Sequence, residues 1–155
     1  MSAVPDAVRA AAYIDIENLC GTANPTRFEC EQVRELCAEH IDLQQTMVIG
    51  ACSHFAAATA SFAWPAVRWL WRSGKDGADT ALLDEIHATE HGRFDRIIIG
   101  SGDGIFADTI NELTESGVHI TVISRQRSLS HHLTDSAADL VILDDPEIIP
   151  VPAAA

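Results

Sequence analysis

Aspartates stand at three places where an apolar run gives way to polar residues: Tyr13-Ile14-Asp15-Ile16-Glu17-Asn18, Gly77-Ala78-Asp79 ahead of Leu82 and Leu83, and Ser101-Gly102-Asp103-Gly104 after Ile97-Ile98-Ile99. Brought to one edge of a fold, such acids repel unless a cation sits among them or one keeps its proton. Hard carboxylate oxygens suit Mg²⁺ or Mn²⁺. Asp15 lies inside an apolar run, so its side chain is expected to be half-buried. A buried carboxylate without a partner is costly, which favours a ligand role over a cap on the next loop. Asn18 could donate to a phosphate or orient a water, or serve the turn before Gly21.

Asp79, Leu82, Leu83 and Ile86 follow the 0, 3, 4, 7 spacing, which sets Asp79 on the buried stripe of a helix. Asp76 suits the capping role at that helix start, where carboxylates are favoured in any case. Asp84 and Glu85 lie off the stripe and read as solvated charges. Asp103 stands between glycines that permit a tight turn and close backbone approach. A dinucleotide site is disfavoured there, because Ile105 occupies the third glycine position and an acid would repel pyrophosphate.

Arg72, Lys75, Arg125 and Arg127 are four of only ten basic residues. All follow predicted strands, forming a basic rim suited to a phosphate backbone. Trp69 and Trp71 share one strand face and read as core; Trp64, beside Pro65, is a looser candidate for base stacking.

These residues need a scaffold, and the pattern supplies one. Strands are expected at 11–16, 46–52, 67–71, 95–100, 118–123 and 140–143. Helices are expected at 28–40, 54–62, 79–91, 106–116 and 129–137. This alternation argues for an α/β fold of right-handed βαβ units, with a mostly parallel sheet covered on both sides. The runs at 11–16 and 95–100 lack alternation and suit central strands. In such sheets a site lies beyond the carboxyl ends of the strands, where strand order reverses; the aspartates and the basic rim stand at those ends.

Length and composition agree. The 155 residues are one domain's worth, 47% hydrophobic, with a mean hydropathy of +0.08. Residues 1–10 are expected to be a flexible N-terminus, 11–144 the domain, and 145–155 a Pro/Ala-rich tail. No apolar run approaches a membrane span. Ten basic against 23 acidic residues, a net of −13, disfavour non-specific binding to nucleic acid or anionic membranes. Without a basic, apolar leader the chain is expected in the cytoplasm, with Cys20, Cys30, Cys37 and Cys52 reduced.

The segments Tyr13-Ile14-Asp15-Ile16-Glu17-Asn18-Leu19, Gly77-Ala78-Asp79, Ile98-Ile99-Gly100-Ser101-Gly102-Asp103-Gly104 and Ala138-Asp139-Leu140-Val141-Ile142-Leu143 resemble the NYN domain, a branch of the PIN-like nucleases. The resemblance spans about 11–143. It implies a three-layer α/β/α sandwich with sheet order 3-2-1-4-5, and divalent-metal-dependent cleavage of RNA. It implies metal-binding, catalytic roles for Asp15, Asp79 and Asp103, with Asn18 and Ser101 as polar partners. The family usually carries a second aspartate two residues after the first in S-G-D-x-D. Here Ile105 holds that place, and Asp108 is the nearest substitute.

The resulting expectation is a Mg²⁺- or Mn²⁺-dependent ribonuclease acting on single-stranded or looped RNA. Arg72, Lys75, Arg125 and Arg127 would bind the strand. No membrane partner is expected, and a homodimer is left open. The rival is an NYN-like RNA- or protein-binding adaptor with weakened or lost catalysis, favoured by Ile105 and the acidic charge.

Overall fold

The computed structural model describes residues 8–89 and 92–143. Its strands are β1 (Ala10–Asp15), β2 (Thr46–Cys52), β3 (Arg68–Trp71), β4 (Arg96–Gly100), β5 (His119–Ser124) and β6 (Asp139–Ile142). Its helices are α1 (Ile16–Cys20), α2 (Arg27–Ala38), α3 (Ala57–Ala63), α4 (Gly77–Ala88), α5 (Ala107–Glu115) and α6 (His131–Ser136). All strand pairs are parallel, in the order β3-β2-β1-β4-β5-β6. The expected 3-2-1-4-5 sheet is therefore present, and β6 extends it beyond β5. The order reverses between β1 and β4, the two central strands.

Side-chain alternation along β1 explains the layers. Ala12 and Ile14 pack with Ile16 and Leu19 of α1, Val33 of α2 and Ala60 of α3. Ala11 and Tyr13 pack on the other face, with Leu82 and Ile86 of α4, Ile110 of α5 and Leu133 of α6. Each fully buried aliphatic side chain contributes about 1.5–3 kcal/mol. Asp15 continues the Ala11–Tyr13 series, so the pleat turns it toward the α4 layer.

Several boundaries differ from expectation for local reasons. The loop after β1 contains α1, too short for a periodic pattern: Asp15 caps its start and Gly21, at φ +74°, ends it. Helix α2 starts at Arg27 because Thr26 and Glu29 form a capping box. Helix α4 starts at Gly77 rather than Asp79 and ends at Ala88; its expected end, His91, lies outside the described residues. Most of the expected N-terminus and the whole 145–155 tail also lie outside them. Of the former, Arg9 hydrogen-bonds Asp95 and Ala10 opens β1.

The tryptophans correct two expectations. Trp64, offered for stacking, is 3% exposed within the core. Trp69 packs on that core and donates its indole N–H to the Trp64 carbonyl at 3.1 Å. Trp71, read as core, is 55% exposed, because β3 is a short edge strand and Trp71 is its last residue. All four cysteines are free thiols buried on the α1–α2–α3 face. No helix among the described residues is long and apolar enough to cross a membrane.

Candidate active site

The carboxyl ends of β1 and β4 carry two turns joined by one side chain. Asp15 accepts a hydrogen bond from the Asn18 N–H at 3.1 Å. The Asn18 amide oxygen accepts from the Gly102 N–H at 3.1 Å. Asn18 thus sets the spacing between the Asp15 and Asp103 turns, besides serving the local turn. On the β4 side, the fully buried Ser101 hydroxyl accepts from the Asp103 N–H at 3.2 Å. Asp103 caps a 3-10 turn over Gly104–Phe106, accepting from the Ile105 N–H at 3.0 Å. A Cβ at Gly102 would lie 2.3 Å from the Ser124 hydroxyl and the Ser128 carbonyl oxygen, so this turn seats against β5 only with glycine.

Helix α4 adds the third acid. Asp79 lies in its first turn on the buried stripe and is 6% exposed. Its Oδ1 is buried without a hydrogen-bond partner among the described residues. Gly77 allows this approach, since a Cβ there would lie 2.5 Å from the Arg72 carbonyl oxygen. Asp76, Asp79 and Asp103 each offer a carboxylate oxygen, and those oxygens lie within 4.8 Å of one another. Asp15 faces Asp79 instead of joining that triad. Burial pushes Asp79 up to about 9, with Asp15 and then Asp103 reinforcing the shift. Burial also raises Asp15, against the lowering effect of hydrogen bonds with Asp79 and the Asn18 N–H. The donor set is all-oxygen, anionic and part-orphaned. These residues therefore fit a hard divalent cation.

Asp76 corrects the capping expectation. It occupies the cap position of α4 but makes no side-chain capping bond. It is the one described non-glycine residue with positive φ, at +55°. Aspartate tolerates that conformation better than most residues, and it leaves the carboxylate available to the triad. Glu17 also reaches this edge. Its carboxylate accepts from the Ser53 N–H at 2.5 Å. It lines a recess of about 140 Å³ with Asp15, Asp76, Asp79 and Arg72. The signal for Asp76 was its place one helical turn before Asp79; Glu17 needed the α1 turn to be visible.

The remaining candidates separate. Asp108, in the first turn of α5, is exposed and outside the acid triad. Ile105, where the family pattern carries an acid, is 39% exposed. Arg72 lines the acid recess and pairs with Asp84 at 2.8 Å. Lys75 is exposed in the β3–α4 loop, and Arg127 is exposed in a 3-10 turn over Gln126–Ser128. Arg125 does not join the rim. It packs over Gly21, donates from Nε to the Leu19 carbonyl, and borders Val33 and Leu36 of α2.

With this geometry in view, the family model for the NYN domain matches residues 9–144. A crystal structure of a protein of unknown function from Vibrio parahaemolyticus is similar in fold, with a TM-score of 0.63 and 18% identity. The match covers 93% of this chain and 98% of that one. No match was found among curated proteins.

Proposed function

The chain belongs to the NYN domain family, a branch of the PIN-like nucleases, and we propose that it is a divalent-metal-dependent ribonuclease acting on single-stranded or looped RNA. The observation that carries the reading is Asp79 Oδ1, buried without a hydrogen-bond partner among the described residues, beside the carboxylates of Asp76 and Asp103. A fold stable at neutral pH has no reason to gather these acids for packing alone. Asp76, Asp79 and Asp103 would hold Mg²⁺ or Mn²⁺, with Asp15 against Asp79 as the neighbouring acid.

When bound, such an ion lowers the pKa of an attacking water and neutralises charge developing on the phosphoryl oxygens. The protein's own part is positioning. Asn18 keeps the β1 and β4 turns at a set distance, and Ser101 orients the Asp103 backbone. Glu17 ties α1 to the end of β2, closing one wall of the recess. Arg72 and Lys75 offer charge to the phosphates entering that wall, and Arg127 offers charge from the β5 side.

Ile105 favours a second reading, in which the domain binds RNA or protein and no longer cuts. Asp76 weighs against it, because it brings a further acid to the same place from another segment. The deciding experiment titrates Mg²⁺, Mn²⁺ and Ca²⁺ against labelled single-stranded and duplex RNA, beside Asp103→Asn. The expected result is Mg²⁺- or Mn²⁺-dependent cleavage of the single strand, absent in the variant. Metal-independent cleavage, or none with retained RNA binding, would reject hydrolysis at this site.

A further inference from the structure

We propose that Trp71, with His54 and Phe55 beside it, is a stacking platform for the bases of the RNA strand entering the acid recess. The proposal rests on the nuclease reading and adds the part of the protein that grips the substrate. Trp64 and Trp69 are accounted for by packing, whereas Trp71 leaves 55% of its surface in water. Phe55, in the turn after β2, is 88% exposed. Trp71 ends the outermost strand and Phe55 lies in the turn after β2, and both leave a large ring in solvent.

Their placement points to the strand that feeds the site. Trp71 sits opposite Cys52 in the β2–β3 register, and β2 runs straight on into Ser53-His54-Phe55. Trp71 and the segment 53–55 therefore both stand at the carboxyl edge, the edge that carries the acids. His54 is fixed there: its N–H donates to the Ser73 hydroxyl at 3.0 Å, and its Nδ1 lies 2.8 Å from the same oxygen. An open groove of about 480 Å³ runs along β3, lined by His54, Trp71, Arg72, Asp84 and Glu85 among others. Arg72 also lines the acid recess, so groove and recess share a wall.

The charges in the groove suit a polyanion with flat bases. Asp84 is held by Arg72 at 2.8 Å, and Glu85 by Arg68 at 2.6 Å, so each carboxylate already faces a guanidinium. Lys75 makes no hydrogen bond or ion pair among the described residues and lies in the loop between Trp71 and Asp76. Base–aromatic stacking flanked by cations is how single strands are held without sequence preference. A second copy of the chain fits less well, since the cores of protein interfaces are depleted of charged residues and this groove is lined with them.

The test measures binding of a fluorescently labelled 12-nucleotide single-stranded RNA to the full chain in Ca²⁺, with an abasic oligomer of the same length as control. Trp71→Ala is expected to weaken binding about five- to hundredfold, and Trp71→Phe to recover most of it. The abasic oligomer is expected to bind wild type about as weakly as RNA binds Trp71→Ala. RNA is expected to quench tryptophan emission in wild type and not in Trp71→Ala. If wild type binds and cleaves RNA while Trp71→Ala and Phe55→Ala bind it equally well, the platform is wrong and the nuclease reading stands. If RNA binding depends on Trp71 but no metal supports cleavage, the platform stands and hydrolysis falls. No binding by wild type overturns both. Conversion of a dimer to a monomer by Trp71→Ala, at unchanged RNA affinity, makes the patch a contact between copies and overturns the platform.

Discussion

The two ends of the β1–β4 pair treat the same residue type in opposite ways. At the amino end, Asp95 receives the Arg9 backbone N–H at 3.0 Å and its guanidinium at 3.1 Å. Those donors hold its carboxyl below the usual range. At the carboxyl end, Asp15, Asp79 and Asp103 gather with no guanidinium in hydrogen-bond contact among the described residues, and Asp79 is pushed up to about 9, chiefly by burial. Where this fold needs an acid only for its own structure, it supplies a cation from the chain. Where it does not, it keeps burial and like charge at a cost to stability. That asymmetry separates a scaffold end from a working end, and it can be broken experimentally.

The largest expected effect is on cleavage. Asp103→Asn and Asp79→Asn should each lower metal-dependent RNA cleavage by about a thousandfold or more, since each removes a carboxylate from the group facing the charge that develops. Circular dichroism should stay unchanged. Asp95→Asn, at the scaffold end, should leave the rate within twofold. Equal losses at both ends would erase the distinction. Next in size is the response to metal. Mn²⁺ at about one hundred times its Kd should stabilise the folded chain by about 2.7 kcal/mol, raising Tm by about 5–10 °C. Asp103→Asn should lose that shift and Asp95→Asn should keep it; scanning fluorimetry reads both.

How far the sequence carried this picture differs between the layers. The central place of β1 and β4 followed from apolar runs, because burial on both faces leaves a plain mark on composition, and the sheet order followed from the family resemblance. Asp79 on the α4 stripe was legible for the same reason: helical spacing ties it to Leu82 and Ile86. Asp76 was not, because its role depends on a left-handed backbone that frees its carboxylate from capping. Arg125 was misplaced because residue order shows that it follows β5, while the direction of its side chain depends on α1, a helix too short to leave a period. Trp71 alternates like Trp69, and only its position at the end of the outermost strand exposes it. Elements were readable where many residues agree, and the site was lost where one side chain chooses a direction.

A smaller effect sharpens the comparison through pH. Asp79 and Asp15 hold protons more tightly folded than unfolded, where a carboxyl titrates near 4. The folded state therefore binds more protons across that interval, so stability falls as pH rises. The contribution is intact below about pH 4, erodes above it and is gone once pH passes about 9. Asp79→Asn removes the cost of keeping a proton on this buried carboxyl and should make the metal-free protein about 1–3 kcal/mol more stable at pH 8. Its urea midpoint should vary less between pH 5 and 9 than that of wild type. A variant as pH-sensitive as wild type would mean that Asp79 does not carry the cost.

The smallest effect belongs to the scaffold end and has the opposite sign. Asp95 titrates below the usual range because Arg9 stabilises its charged form, so its contribution is present above about pH 4 and is lost as pH falls through the folded value. Both partners are about half-exposed, and water and salt screen such a pair. Arg9→Ala should therefore lower Tm at pH 7 by no more than about 2 °C. The loss should shrink further in 0.5 M NaCl and disappear in acid once Asp95 is protonated in both states. Metal response and cleavage should not change at all. A large Tm loss from Arg9→Ala would show that the amino end does more than neutralise one acid, since Arg9 also reaches the Gly92 carbonyl at 3.2 Å and so holds the segment that leads into β4. An Arg9→Ala variant that also lost its Mn²⁺ shift would mean that strain passes along β1 to Asp15, and that the two ends are one coupled unit.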